Sequence, residues 1–578
     1  MTGPAAPKDP EKARPFFYIL KDKDVFGERQ KDGTGIQFIY ESDGRLINSA
    51  QITGNVTDKE ELTLLETVEG FGRLVHSIGV SVETDRPEET AEFVFQMYGK
   101  KDLYGGGTNL TASLKCDGME HRIYLSDYRW TEDDHVPGQI KILFAAPERM
   151  GKVSVRLFLN DGYEAPSEEE DLVIDMHSEE YCGMISRSLL QLGNPYRIRK
   201  AIEKSKAGKE VTLAYIGGSI TQGAGAIPIH TECYAYKSFQ LFQNRFSTQN
   251  NVRFIKAGVG GTPSELGMIR FDRDVLREGE RPDIVVIEFA VNDEGDETKG
   301  VCYESLVRKV LKLPWKPAVV LLFSVFANDW NLQERLRPVG DLYDLPMVSI
   351  RDAVTPQFSL KCGEGRILSK NQFFYDIFHP NNTGHTIMAD CLQYLFERCD
   401  AAEPARVGTF VEGMTEEQIL SEKLSGPAVI GADFERIFLL DKKNRYVGAK
   451  IRAGSFTSTD IELQSVEMDG NLTQTPEFPY NWMYDGSRLQ MPGFEMEITC
   501  KSLFLIFKDS GETDVGKANV FVNDVYCMTA DPHKNNWLHC NAVLLFWETE
   551  SRSHKVRIAV TEEDRNKKFT ILGFGYTI

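Results

Sequence analysis

Between residues 211 and 400 five apolar runs, "VTLAYIGG", "VRFIKAGVGG", "DIVVIEFAVND", "AVVLLFSVF" and "PMVSI", alternate with longer amphipathic segments such as "CYAYKSFQLFQNRF" and "ESLVRKVLKL". A strand that is apolar at successive positions is buried on both faces, and such strands belong to parallel sheets covered by helices. The alternation therefore predicts an α/β domain of three layers, with a parallel sheet between two layers of helices. Ligands of such open sheets bind at the carboxyl ends of the strands. The first three runs end in small and polar residues, which places candidate reactive groups at those strand ends.

The texture differs on either side. Up to about residue 163, short β-branched and aromatic runs such as "TAEFVFQMY" and "KVSVRLFLND" are separated by Gly, Asp and Asn turns, which reads as an all-β domain. An acidic joint, "YEAPSEEEDLVIDMHSEE", follows, and "MISRSLLQLGNPYRIRKAIEKSKAG" fits one or two helices. Short β runs return after residue 403, among them "SLFLIF", "NVFVNDVY" and "FTILGFGYTI". A chain of 578 residues is too long for one core. The expected organisation is an N-terminal β-sandwich with its linker over 1–182, the α/β domain over 183–402 and a C-terminal β-sandwich over 403–578.

Charge and composition exclude several partners. A net charge of -20 repels phosphate backbones and anionic lipid surfaces, so neither nucleic acid nor membrane is an expected partner. The opening "MTGPAAPKDPEKARPFF" has prolines and charges where an export signal needs an apolar core, and the expected compartment is the cytoplasm unless the precursor begins upstream. Ten cysteines without any Cys-x-x-Cys pair argue against a zinc knuckle and against a disulfide scaffold.

Ser219 stands directly after the first run, in "AYIGGSITQGAGA". The second run ends in "AGVGGTPS", offering the backbone amide of Gly261, and the third in "EFAVND", offering the carboxamide of Asn292. With the amide of Ser219 itself, these are three donors able to converge on a developing oxyanion. Near the end of the domain, "FFYDIFHPNNTGH" holds Asp376 three residues before His379, a spacing that lets a loop set the carboxylate against the imidazole. The pieces make a nucleophile, orienter and base in the order Ser219, Asp376, His379. Each has a plainer reading as well: Ser219 and Thr221 as helix caps, Asn292 with Asp293 as a turn pair, Gly261 as a glycine needed for its backbone angles. His385 reads as a first-turn residue of a capped helix, and Glu288 and Asp293 as a network holding Asn292. Asn328, Asp329 and Trp330 follow the fourth run, where they bind a sugar by hydrogen bonding and stacking or pack at a domain seam.

Four blocks in order, Ser219 in "GGSIT", Gly261 in "GVGG", Asn292 in "AVND" and Asp376 with His379 in "DIFHP", resemble the SGNH or GDSL hydrolases across residues 211 to about 400. The resemblance implies a flavodoxin-like α/β/α SGNH-hydrolase domain and a serine hydrolase that needs neither metal nor organic cofactor. Two departures stand out: Gly218 replaces the family's Asp, at little expected cost, and Ala290 replaces a glycine, with an expected narrowing of the acyl pocket. The two flanking domains resemble the jelly-roll companions of carbohydrate acetyl esterases, and no long apolar lid is present to shelter an acyl chain. The expected function is O-deacetylation of an acetylated xylan- or mannan-type carbohydrate. A lipid or thioester acyl hydrolase of the same fold and a non-catalytic carbohydrate-binding protein are the alternatives. The flanking domains serve either as sugar-binding modules or as surfaces for a homo-oligomer.

Overall fold

A computed structural model describes residues 12–39, 45–101, 105–167, 170–402, 414–471, 473–487 and 492–578. At its centre six strands lie in the order Leu189–Gln191, Met347–Ser349, Ala318–Phe323, Ile284–Glu288, Val211–Gly217 and Val252–Gly258. The last five are mutually parallel, and Leu189–Gln191 closes one edge antiparallel to Met347–Ser349. Numbered along the chain, the parallel strands run 2-1-3-4-5, the flavodoxin-like order, whose switch point falls between the first and third strands. Side chains alternate strictly. Val211, Leu213 and Tyr215 pack with the helices Tyr196–Lys206, Tyr234–Phe246 and Asn382–Ala401, while Ala214 and Ile216 pack with Ser264–Phe271 and Val301–Leu311. This is the three-layer α/β/α domain that the alternating runs predict.

The edge strand comes from within "MISRSLLQLGNPYRIRKAIEKSKAG", where helices alone are expected; helix Glu179–Ser186 precedes it and Tyr196–Lys206 follows. That first helix spans the expected joint at 182/183 and buries Tyr181, Met184 and Ile185 in the central core. The expected joint at 402/403 adjoins residues 403–413, which lie outside the described residues.

Upstream, four strands (Phe16–Phe26, Met150–Leu159, Val75–Thr84, His121–Tyr124) and five strands (Glu28–Arg29, Gly35–Phe38, Asp134–Phe144, Thr90–Gly99, Asn109–Lys115) make two antiparallel sheets around one apolar core. The expectation of a purely β domain needs correcting. Three short helices, Arg45–Ile52, Lys59–Leu64 and Val68–Leu74, sit between the first strands and bury Leu46, Ala50, Leu62, Phe71 and Leu74 in that core. Val68, Phe71 and Leu74 recur every third residue, which places them on one helical face.

Downstream, eight strands form an antiparallel sheet around Phe494–Asp509 (16 residues) and His539–Val560 (22 residues), wrapped about a second apolar core. Its opposite side does not face water. Phe434, Phe478, Phe504, Ile506 and Leu572 join Val285, Ile287, Leu321 and Phe323 of the central sheet in one continuous core. All ten cysteine thiols are free. Among the described residues no helix is long and apolar enough to cross a membrane.

Candidate active site

Strand Val211–Gly217 delivers the chain to the switch point, and the short helix Ser219–Gln222 starts at once. Both glycines at the junction are crowded. A Cβ on Gly217 would stand 2.1 Å from Thr221 Oγ1, and one on Gly218 would stand 2.2 Å from Asn292 Oδ1 and 2.4 Å from its Cγ. The departure from Asp at 218 thus has a steric reason, since any side chain there displaces the Asn292 carboxamide.

Ser219 does not cap its helix, whose first turn receives no side-chain cap bond. Its Oγ lies 3.0 Å from His379 Nε2. On the other side of the ring, His379 Nδ1 is 3.0 and 2.9 Å from Asp376 Oδ1 and Oδ2. The loop carrying both residues is tied to itself: Asp376 Oδ1 accepts from the N–H groups of Phe378 and His379 at 2.8 Å each, and Tyr375 N–H donates to the His379 carbonyl. Burial works to raise the Asp376 pKa, but the adjacent imidazole, Arg45 and the Phe378 N–H outweigh it and hold the carboxyl down to about 2.

The turn after strand Val252–Gly258 brings a third element to the same end of the sheet. Gly261 adopts φ +69°, open to glycine at little cost, and a Cβ there would also stand 2.8 Å from Trp537 and 2.9 Å from His539 Nε2. A Cβ built on Gly260 would be 3.9 Å from Ser219 Cβ. The Gly260 N–H donates to Gln222 Oε1 at 2.9 Å, whereas the Gly261 N–H has no acceptor among the described residues. Gln464 Nε2 donates to the Gly260 carbonyl at 2.9 Å, and His539 Nε2 donates to the Gly261 carbonyl at 3.0 Å. Fully buried Arg270 holds the strand ends beneath, donating to the carbonyls of Gly217 and Ala257 at 2.8 and 2.7 Å. None of Arg270, Gln464, Trp537 and His539 is singled out by the sequence reading, because no motif spacing links them to Ser219.

Other candidates settle into structural places. His385 is buried, accepts from the Tyr234 N–H at 3.1 Å and donates to the Ala224 carbonyl at 3.1 Å; burial pushes its pKa down to about 3. Glu288 and Asp293 do not hold Asn292, contrary to expectation. The Glu288 carboxyl accepts from Thr221 at 3.2 Å, and that of Asp293 accepts from the Ser264 N–H at 2.7 Å. Burial pushes their pKa values up to about 7 and about 8, with Asp296 adding to the shift at Asp293. Ala290 is fully buried and belongs to the apolar core shared by the central and C-terminal sheets. Trp330 stacks on Phe326 (5.8 Å between ring centroids), Phe326 meets Phe378 edge-on, and Phe378 adjoins His379. Asn328 is exposed at the end of this aromatic chain, and Asp329 pairs with Lys370.

Residues 215–387 match the model of the GDSL-like lipase/acylhydrolase family, a span that holds Ser219, Gly261, Asn292, Asp376 and His379. The central domain is a GDSL-like hydrolase. A two-domain esterase active on acetylated mannans superposes with a TM-score of 0.54 at 23% identity, over 68% of this chain and 98% of its own. A second structure of that description, co-crystallised with mannopentaose, matches with the same TM-score and identity over 68% of this chain and 97% of its own. At this identity the likeness establishes a common fold. An acetylxylan esterase variant from Geobacillus stearothermophilus aligns over 33% of this chain and 95% of its own, with 17% identity and a TM-score of 0.26. Comparison with curated proteins gives no match.

Proposed function

We propose that the protein is a serine esterase that removes O-acetyl groups from acetylated oligosaccharides or polysaccharides of the mannan or xylan type. The observation that carries this reading is the imidazole of His379, within 3.0 Å of both Ser219 Oγ and the Asp376 carboxylate. In this mechanism Ser219 Oγ attacks the acetyl carbonyl carbon while His379 Nε2 takes its proton. The Ser219 and Gly261 N–H groups and the Asn292 carboxamide stabilise the tetrahedral oxyanion. His379 then returns the proton to the departing sugar oxygen, and the ester bond breaks. Water enters the second half, deprotonated by the same imidazole, and acetate leaves with Ser219 restored. Asp376, ionised, accepts from His379 Nδ1–H and keeps Nε2 free to act as base.

Support for a sugar as the leaving group comes from aromatic surface on both sides of Ser219. Trp537 is 44% exposed against Gly261, and Trp330 is partly exposed on the His379 side. Aromatic faces of this kind stack on pyranose rings, and the acetylated-mannan esterase provides a precedent for such a substrate on this fold. The test is hydrolysis of nitrophenyl esters from acetate to octanoate by wild type and Ser219→Ala, followed by acetate release from acetylated mannan and xylan oligosaccharides. Serine-dependent cleavage that collapses beyond propionate is the expected result. Preference for octanoate would replace this reading with a lipid or thioester hydrolase, and sugar binding without turnover would replace it with a binding protein.

A further inference from the structure

The oxyanion turn is gripped from outside its own domain. Both carbonyls of the Gly260-Gly261 pair accept from side chains of the C-terminal part of the chain, 204 residues away at Gln464 and 278 residues away at His539. A trans peptide holds its C=O and the next N–H antiparallel. Fixing the Gly260 carbonyl on Gln464 Nε2 therefore fixes the direction of the Gly261 N–H, which points away from Gln464 and is the N–H left without a protein acceptor. From these contacts we infer that Gln464 and His539 are positioning residues for ester hydrolysis, so that the C-terminal β-domain completes the oxyanion site of the central domain. This rests on the reading of Ser219 as nucleophile and the Gly261 N–H as oxyanion donor.

Each gripping side chain is itself held in one orientation. The Cys540 N–H donates to Gln464 Oε1 at 3.0 Å, which turns the Gln464 amino group towards the Gly260 carbonyl. His539 accepts at Nδ1 from Asn535 Nδ2 at 3.3 Å, and Asn535 Nδ2 also donates to Asp509 Oδ2 at 2.7 Å. Burial pushes the His539 pKa down to about 4, so near neutral pH the ring carries one proton, and the Asn535 contact keeps that proton on Nε2. Gln464 and His539 are both buried, and the Trp537 ring, 4.6 Å from that of His539, closes the outer side of the turn. A site whose donors are aligned before the substrate arrives needs no reorganisation as charge develops, and that is where such donors act most strongly. Because the grip bears on a group that meets the oxyanion and not the ground-state ester, its loss falls on kcat and leaves KM nearly unchanged.

The test compares Gln464→Met, His539→Phe and His539→Gln with wild type and Ser219→Ala in the full chain, with nitrophenyl acetate as substrate and a nitrophenyl methylphosphonate as a probe of serine reactivity. Gln464→Met removes the donor at nearly the same volume and His539→Phe removes it with a somewhat larger flat ring, and kcat is expected to fall about 10- to 100-fold with KM within about threefold. The rate of phosphonylation falls in parallel, and His539→Gln, which keeps a donor, recovers most of the loss. A merely structural role would lower the melting temperature without this split and without rescue. If a His539 variant does not fold, Gln464→Met carries the test alone. Full activity in both donor-less variants, with Ser219→Ala inactive, overturns the inference and leaves the esterase reading intact. An active Ser219→Ala overturns the esterase reading itself.

Discussion

At the scale of single residues, the two histidines of "HPNNTGH" part company. His379 bridges Ser219 and Asp376, whereas His385, six residues on, is sealed between the Tyr234 N–H and the Ala224 carbonyl. Burial lowers the His385 pKa to about 3, while an unfolded chain protonates it near ~6.5. Below that value the unfolded state binds a proton that the folded state refuses. The contribution of His385 to stability is therefore complete above about pH 6.5 and is lost as pH falls towards 3, at about 1.4 kcal/mol per pH unit. Urea denaturation of wild type and His385→Gln from pH 7 to pH 4 should give curves that converge on acidification. Parallel curves would mean that the ring is protonated in the fold. The Ser219, His379 and Asp376 contact was legible because one short loop carries Asp376 and His379 and one strand end carries Ser219. Gln464 and His539 were not, because only tertiary packing brings them to the Gly260-Gly261 turn. Gly218 belongs between these cases: its place in the motif was visible, and its reason, the Asn292 carboxamide against its Cα, was not.

Among the elements, the loop from Phe374 to Pro380 depends on a strand that begins the N-terminal β-domain. Lys23, on strand Phe16–Phe26 and only 3% exposed, donates to the Phe374 carbonyl, two residues before Asp376. Burial lowers its pKa to about 8, and the nearby Asp376, Asp24 and Asp171 carboxylates work against that fall. Around it, Asn371 donates to Asp171 and Gln372 to the Leu172 carbonyl, so the acidic joint also clasps the segment before the loop. Lys23→Met keeps the apolar stem and leaves a buried carbonyl unpaired, a cost of about 1–3 kcal/mol concentrated on this loop. The expected result is a lower kcat for acetate esters with KM nearly unchanged, together with faster hydrogen exchange at the Tyr375 amide. Unchanged kcat and exchange would show that the loop holds its own shape. The five parallel strands were readable from the sequence because burial on both faces leaves no polar alternation. Leu189–Gln191 was not, since three residues between two helices carry no period, and the helices over 45–74 were masked by the β texture around them.

For the whole molecule, the division of apolar cores sets how it comes apart. The N-terminal sandwich has its own core, against which Tyr375 packs from the central domain. The C-terminal sheet shares one core with the central sheet, through Phe504 and Ile506 on one side and Val285, Ile287 and Phe323 on the other. Elements that share a core lose their packing together, so the central and C-terminal parts are expected to unfold as one cooperative unit even though composition alone marks them as separate domains. Calorimetry should resolve two transitions. A Phe504→Ala substitution, costing about 3–5 kcal/mol in a fully buried site, should lower only the transition that also abolishes ester hydrolysis. The equivalent change at Phe95, in the N-terminal core, should lower only the other. Three transitions, with the C-terminal part melting alone, would contradict the shared core, and a single transition would mean that the Lys23 and Tyr375 contacts couple the N-terminal sandwich more tightly than its separate core implies. If two transitions are seen, the candidate site should follow that of the shared core: because Gln464 and His539 reach the Gly260-Gly261 turn from the half that melts with the central sheet, the geometry around Ser219 should persist until that unit as a whole unfolds.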